Sequence, residues 1–466
     1  MPSSDAYSLF RAIGEQSGGV LESMEGIPRR AVRSILCVKP PLCLTLDGEI
    51  TVEGSKNLQD IISIPEMGNP ITQLRSFIKQ FEWMGPSGTG FLGGLVGFCS
   101  YDMVRELSEG MVPAGKEGPL ARFMLCTQGI VFDHARDSCI LFDDLILNGE
   151  TDCRKEHARA RQRLEKLEEK IRRISAERTT DRAHIPRASS PPVSSVSREA
   201  YQEAVRKALE YIHAGDIFQV VLSRKITCHV REDPLDIYGA IRTINPSPYL
   251  YYLQFGDEAI IGSSPEMLVK VEGKSVQTVP IAGTRPRGNS VAEDTKLAAE
   301  LLADPKERAE HLMLVDLARN DIGKISDFGS VNVPEYMEVE KFSHVQHIVS
   351  RVCGTLREDR DRFDAFASCF PAGTVSGAPK IRAMQIIAEL ETQPRGLYAG
   401  AVGYAGFSND LEFAIAIRTL RFRRGFVEFS TGAGIVADSI PEREFEETEY
   451  KAGAMMKAIG IVGVTG

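Results

Sequence analysis

Phe429–Lys451, FSTGAGIVADSIPEREFEETEYK, constrains this chain more than any other stretch, because closely spaced glycines are followed at once by a helical pattern. Glu444, Glu447 and Lys451 recur at i, i+3 and i+7, which is one stripe of an α-helix. Pro441 suits the first helical turn, and Gly432 and Gly434 predict a glycine turn whose backbone N–H groups approach an anion. Backbone donors and a carboxylate pair then converge on one pocket. Hard carboxylate oxygens suit Mg2+. The competing reading is a solvated helix face on which Glu447 and Lys451 make an ordinary i, i+4 ion pair.

The 466 residues are 43% hydrophobic, enough for a large core in one large domain or several. No apolar run approaches the ~18 residues of a membrane span. The polar opening MPSSDAYSLF lacks the basic-then-apolar order of a secretory signal, so a cytoplasmic location is expected. Nine scattered cysteines without a C-x-x-C pair read as reduced, mostly buried thiols. A net charge of −9 argues against nucleic acid. It would also repel an anionic substrate, whose pocket needs locally placed Lys, Arg or a metal.

Residues 1–145 alternate short apolar runs (ILCV, LCLTL, GIVFD, CILFDDLIL) with Gly, Pro and Asp breaks, a strand-rich pattern in which Ile71–Trp83 is the clearest helix. FLGGLVGFCSYDMVRE reads as a glycine-softened hairpin or a close backbone approach, without assigned chemistry. Residues 152–178 space Ala160, Leu164, Leu167, Ile171 and Ile174 as a narrow helical seam. The Ser- and Pro-rich segment that follows predicts a linker at 179–197, between an N-terminal region 1–178 and a C-terminal region 198–466.

Beyond it, Ser197 predicts the cap of a helix ending at Gly215, followed by the strand IFQVVLSRKIT, in which Gln219 reads as solvent-facing. Glu266 follows Pro265; such a carboxylate is usually exposed, yet one buried among apolar neighbours would hold a proton near neutrality and act as a general acid. Ser290 and Glu293 predict a capping box, and Asp304 with Pro305 starts the next helix. There Glu307 and Glu310 repeat the one-turn carboxylate spacing of Glu444 and Glu447, which suggests a shared cation or, alternatively, charge pairing with Lys306 and Arg308. His344 and His347 stand three apart, with packing or hydrogen bonding favoured over zinc. FPAGTVSGAPK places Gly373, Thr374 and Gly377 before a helix near Pro379, suited to an anion but lacking the Walker A spacing. Arg418 reads either as a bidentate carboxylate partner or as a surface arginine on an edge strand.

The segments GDIFQVVLSR, NPSPYLYYL, SSPEMLV, PIAGTRPRG, LLADPKERAEHLMLVDLARND, FPAGTVSGAPKIRAM and GAGIVADSIPEREFEET resemble the chorismate-utilising enzymes, specifically the anthranilate synthase component I family. The resemblance runs nearly continuously from Arg198 to Lys457, and FLGGLVGFCSYD extends it into the first half. It implies an α+β fold of two large antiparallel sheets packed face to face with helices outside, the two regions intertwined. It also implies that Glu310 and Glu447 hold Mg2+, supported by Glu307 and Glu444, against the ring carboxylate of chorismate. Gly432, Ala433, Gly434, Gly283 and Thr284 would surround the ring end, Arg418 and Tyr398 would bind the enolpyruvyl carboxylate, and Lys451 would lie near the metal. Glu266 would be the general acid, with His347 and Thr374 lining the site for loss of pyruvate.

Two positions refine the resemblance. Relatives that add water carry a lysine base where this chain has Gln219, and aminodeoxychorismate synthases carry a lysine where it has Ala282; both absences favour anthranilate over the folate-branch alternative. No cysteine sits in the G-x-C-x-G setting of a glutaminase, so a separate glutamine amidotransferase subunit is expected to supply ammonia. Val20, Leu21, Glu22 and Ser23 resemble the L-L-E-S element of a tryptophan feedback site completed by Asn245, Pro246, Ser247 and Tyr249, which implies inhibition by L-tryptophan. A non-catalytic tryptophan-binding subunit is the reading from another class; the retained Glu266, Glu310 and Glu447 oppose it.

Overall fold

The computed structural model describes residues 5–14, 17–24, 33–64, 68–86, 90–107, 115–176, 186–342 and 345–461. Two eleven-stranded sheets, every pairing antiparallel, form the framework. The first runs, edge to edge, through Gly377–Ala378, Gln219–His229, Phe426–Ile435, Thr419–Arg423, Glu258–Ser264, Tyr249–Phe255, Ser17–Glu22, Arg33–Val38, Gln128–Asp133 and Ser138–Asp143, with Val193–Ser194 paired beside Gln219–His229. The second runs through Ile281–Pro286, Val345–Thr355, Ser275–Thr278, Met267–Glu272, Leu411–Ile415, Ala401–Gly406, Gly94–Cys99, Ala121–Cys126, Leu42–Asp47 and Glu49–Gly54, with Asn332–Lys341 paired beside Val345–Thr355.

Each sheet takes strands from both sides of residues 179–197. The predicted linker lies partly outside the described residues; its described remainder bridges Ala188 to Val230 and pairs Val193 with Thr227. Strand alternation gives each sheet an inner and an outer apolar face. On the inner faces, Ile35, Tyr251, Leu253 and Ile260 of the first sheet meet Val96, Phe98, Met124 and Val402 of the second. Phe98 and Phe255 make an edge contact there, with ring centroids 5.9 Å apart.

Helices cover the outer faces. The seam of Cys153–Ala176 buries Ala160, Leu167, Ile171 and Ile174, the last three joining Ala6–Ile13 on the first sheet. The early helix spans only Pro70–Ile78, capped by the Asn69 side chain; the apolar run toward Trp83 continues as loop packed on the second sheet. Ser197 caps Arg198–His213 through the Ala200 N–H, as its position predicts. The Ser290 hydroxyl accepts from Glu293 N, but the Glu293 carboxylate reaches back to the N–H of Asn289, one residue before a capping box would place it. No described helix is long and apolar enough to cross a membrane.

Candidate active site

The site forms where the chain crosses between sheets. Glu266 lies between Glu258–Ser264 of the first sheet and Met267–Glu272 of the second, and Arg418 lies between Leu411–Ile415 of the second and Thr419–Arg423 of the first. These two crossings run side by side: Ile415 N donates to the Glu266 carbonyl at 3.0 Å, and Ser263 N donates to the Arg418 carbonyl at 3.1 Å. A proline turn therefore carries a buried carboxylate. An exposed Glu266 and an edge-strand Arg418 are both set aside by this placement, because each residue sits inside the sandwich at a sheet switch.

Burial pushes the Glu266 carboxyl up to about 8, against the downward pull of Thr374, Arg418 and the Ile281 backbone. The Thr374 hydroxyl, in the short turn Gly373–Val375 ahead of Lys380–Leu390, faces the Glu266 carboxyl. His347 donates from Nδ1 to the Gly283 carbonyl at 2.8 Å and lies 3.1 Å from the Thr284 hydroxyl. Burial holds its imidazole down at about 4, so the ring is neutral at physiological pH, with Nε2 as the acceptor. His344, its predicted companion, lies outside the described residues.

Gly432 and Gly434 sit within the strand Phe426–Ile435, opposite Ser223 and Val221, so the expected glycine turn is strand; the turn into the helix comes later, where the Ser439 hydroxyl accepts from Val436 N. The glycines serve close approach instead. A Cβ on Gly432 would stand 2.6 Å from the Tyr398 hydroxyl, and one on Gly434 would stand 2.8 Å from Gln219 Nε2. Gln219 is thus buried and turned onto the site, not toward solvent, and its Oε1 has no hydrogen-bond partner. Burial raises the Tyr398 hydroxyl to about 12 and keeps it a donor. Ala282 is buried in Ile281–Pro286 opposite Ile348.

Two helices, one on each sheet, bring the four predicted carboxylates together. Glu310 on Pro305–Gly323 has its pKa raised by burial and then by the negative charges of Glu307 and Glu447. Glu444 on Pro441–Ala458 is raised by burial and by Glu447, the Ser439 hydroxyl pulling the other way. Glu307 also accepts from Arg285 Nη1 at 3.0 Å, a partner that the sequence pattern missed because it sits on another element. Lys451 donates to Glu447 at 2.7 Å and to the Gly432 carbonyl at 3.0 Å, so the expected surface pair exists but is tied into the site. Among the described residues, no three carboxylate, imidazole or thiol side chains close around an ion. The negative charges of Glu307 and Glu447 raise Glu310, and that of Glu447 raises Glu444; such crowding of carboxylate oxygens suits a hard cation.

The second predicted cluster also assembles. Ser17–Glu22 pairs with Tyr249–Phe255, placing Leu21 opposite Tyr251, and Met24 N donates to the Ser247 carbonyl. Asn245 Nδ2 donates to the Ser263 hydroxyl, which donates to Ser247 Oγ. A solvent-open cleft lies beside it, lined by Leu21, Glu22, Pro248, Tyr249, Tyr404 and Glu412 among others. Ser23 is buried and donates its N–H to Ser34, while Pro246 is half-buried in the same turn.

The sequence model of the chorismate binding enzyme family matches residues 32–457. The chain belongs to the chorismate binding enzymes. It is similar to anthranilate synthase component 1 of Acetivibrio thermocellus, 43% identical over 464 residues, covering 98% of this chain and 93% of that protein. The same component of Geobacillus stearothermophilus is 45% identical over 471 residues, covering 98% and 91%. Among solved structures, anthranilate synthase component I from Streptococcus pneumoniae TIGR4 superposes with a TM-score of 0.77 at 36% identity, covering 93% of each chain. The menaquinone-specific isochorismate synthase MenF from Escherichia coli shares the chorismate binding enzyme fold, with a TM-score of 0.72 at 20% identity over 98% of this chain and 91% of that one.

Proposed function

We propose that this chain is the chorismate-converting component of an anthranilate synthase, turning chorismate and ammonia into anthranilate and pyruvate. The observation that carries the reading is Glu266, a buried carboxyl that keeps its proton to about pH 8 beside Arg418 and Thr374. Glu310 and Glu447 would hold Mg2+, with Glu307 and Glu444 acting through its waters. When bound, the ion supplies a hard counter-charge for the ring carboxylate. Arg418 and Tyr398 would take the enolpyruvyl carboxylate, the backbone of Gly283, Thr284 and Gly432–Gly434 would wall the ring end, and Lys451 would add positive charge. Locally placed cations thereby let an acidic protein bind a dianion.

Ammonia adds at C2 as Glu266 gives its proton to the departing 4-hydroxyl, which leaves as water, and the new ammonium sheds the extra proton. In the second step His347 Nε2 accepts the C2 proton as the ring–oxygen bond to the enolpyruvyl group breaks and the ring becomes aromatic; the side chain leaves as an enolate that takes up a proton on its methylene carbon to become pyruvate. Gln219 cannot take a proton from water, which disfavours hydroxide addition, and Ala282 offers no amine to attack the ring. Those two side chains favour anthranilate over the aminodeoxychorismate of the folate branch. A separate glutamine amidotransferase would deliver the ammonia. Tryptophan would bind beside Leu21, Glu22 and Tyr249 and inhibit; this is supported by the cleft there.

The test is incubation of the purified chain with chorismate, Mg2+ and ammonium at about pH 8.5, above the α-amino range, with products identified by fluorescence and mass. Anthranilate with pyruvate is expected. Aminodeoxychorismate without pyruvate would move the assignment to the folate branch. Activity unaffected by titrated tryptophan would remove the regulatory claim.

A further inference from the structure

Arg395, in the loop after Lys380–Leu390, is buried with four of its hydrogen bonds resolved. Nε and Nη2 hold the two Glu391 oxygens at 2.8 and 2.7 Å. Nη2 also donates to the Val221 carbonyl at 2.6 Å, and Nη1 donates to the Val375 carbonyl at 2.7 Å. Glu391 Oε1 accepts in addition from Ser223 N at 2.7 Å and from the Ser223 hydroxyl at 2.9 Å. The guanidinium carbon lies 4.8 Å from the Tyr101 ring centroid and 5.6 Å from that of Tyr398, whose N–H donates to the Arg395 carbonyl.

The three segments joined in this way each carry a residue of the site. Val375 follows Thr374; Val221 and Ser223 lie on the strand that begins with Gln219; Tyr398 is stacked directly. Gln219 Oε1 has no hydrogen-bond partner, and the Thr374 hydroxyl meets the Glu266 carboxyl of another segment, so the placing of both side chains depends on how their backbone is anchored. A planar guanidinium can reach two carbonyls and both oxygens of a carboxylate at once, which an ammonium cannot. With four of its five donors committed to protein oxygens and its charge paired with Glu391, Arg395 is not placed as a substrate ligand.

We propose that the Arg395–Glu391 pair is the positioning unit that sets Thr374, Gln219 and Tyr398 relative to one another, an inference that rests on the chorismate site proposed above. A displacement of about 1 Å in a catalytic wall can cost on the order of 10²-fold in rate.

The experiment measures kcat and KM for chorismate, with Mg2+ and ammonium, per folded full-length molecule. Arg395→Lys is expected to lower kcat by on the order of 10²-fold with a smaller change in KM. Arg395→Ala is expected to regain about tenfold or more of its lost rate with added guanidinium, and nothing with tetramethylammonium at equal ionic strength. A solvent-open cleft lined by Glu391 and Arg395 among others gives the small cation a route in. Glu391→Gln, which keeps an oxygen for Ser223 but not the charge, supplies the same kcat reading if the alanine variant does not fold. An Arg395→Lys enzyme with unchanged kcat, or a folded Arg395→Ala enzyme indifferent to guanidinium, overturns the proposal and makes the pair ordinary core structure. Failure of the unsubstituted chain to turn over chorismate overturns the site itself, whereas an active chain insensitive to Arg395→Lys overturns only the positioning role.

Discussion

Glu22 and Glu266 are both buried carboxylates in the same sandwich, but their surroundings differ in kind. Glu22 is enclosed: Tyr238 donates to it at 2.6 Å, and Arg242 reaches it through Nε at 2.8 Å and Nη2 at 3.1 Å while also holding Asp5. Glu266 is met by the Thr374 hydroxyl and the Ile281 backbone but has no such enclosure, and the unpartnered Gln219 Oε1 lies in the same site. The difference separates a carboxylate locked by protein donors from one kept open to a ligand. Glu22 has its hydrogen bonds complete within the protein; the Glu266 site leaves some incomplete where a substrate can finish them.

The largest test of that contrast is Glu266→Gln. Turnover should fall by about 10²–10⁴-fold, the usual contribution of a positioned acid, while stability at pH 8 should rise. The native pKa of about 8 lies above the ordinary 4.5, so the unfolded chain gives up this proton first. The stability linked to it is therefore complete at low pH and declines as pH rises from about 4.5 to about 8. The gap between the thermal melts of the variant and the parent should be much larger at about pH 8 than at about pH 5.

Next, Arg242→Ala leaves Glu22 as an uncompensated buried charge and should cost about 3–5 kcal/mol of stability, read by denaturant unfolding, with activity per folded molecule retained. Loss of turnover without loss of stability would erase the distinction between the two regions. A pH profile is the third test: rates corrected to constant free NH3 should fall as pH passes about 8, where Glu266 loses its proton. A flat corrected profile from about pH 6 to 9 would deny Glu266 its role. The smallest stability effect belongs to Lys451→Met, which removes a half-exposed i, i+4 pair and should change stability by no more than about 0.5 kcal/mol, while weakening chorismate binding in a KM measurement.

Much of this was legible in the residues, for identifiable reasons. The caps at Ser197 and Asp304 and the paired carboxylate spacings are local patterns, and local patterns survive folding. The burial of Gln219 and Glu266 was not local: Glu266 sits at a crossing between sheets, and Gln219 is covered by its strand partner Ala378 and by Gly434, neither of which a period of 2 or 3.6 encodes. The predicted turn at Gly432–Gly434 became strand because the glycines make room for Tyr398 and Gln219, side chains contributed from elsewhere in the chain. Arg395, between Pro394 and Gly396, reads as a loop residue, and its partners at Val221 and Val375 become neighbours only in the folded sheet. Its spacing of four from Glu391 was the available signal.

The mixed origin of the sheets has a consequence during synthesis. Ser17–Glu22 takes Tyr249–Phe255 as a neighbour, with Ser17 opposite Phe255. At ~5–20 residues per second, the N-terminal strand waits on the order of tens of seconds for that partner to be translated. For that interval the emerging first half carries a strand with one edge open, and its sheet cannot be completed from within. The ribosome-bound chain should therefore be a chaperone client until well past its midpoint, and aggregation should strike the nascent protein rather than the finished one.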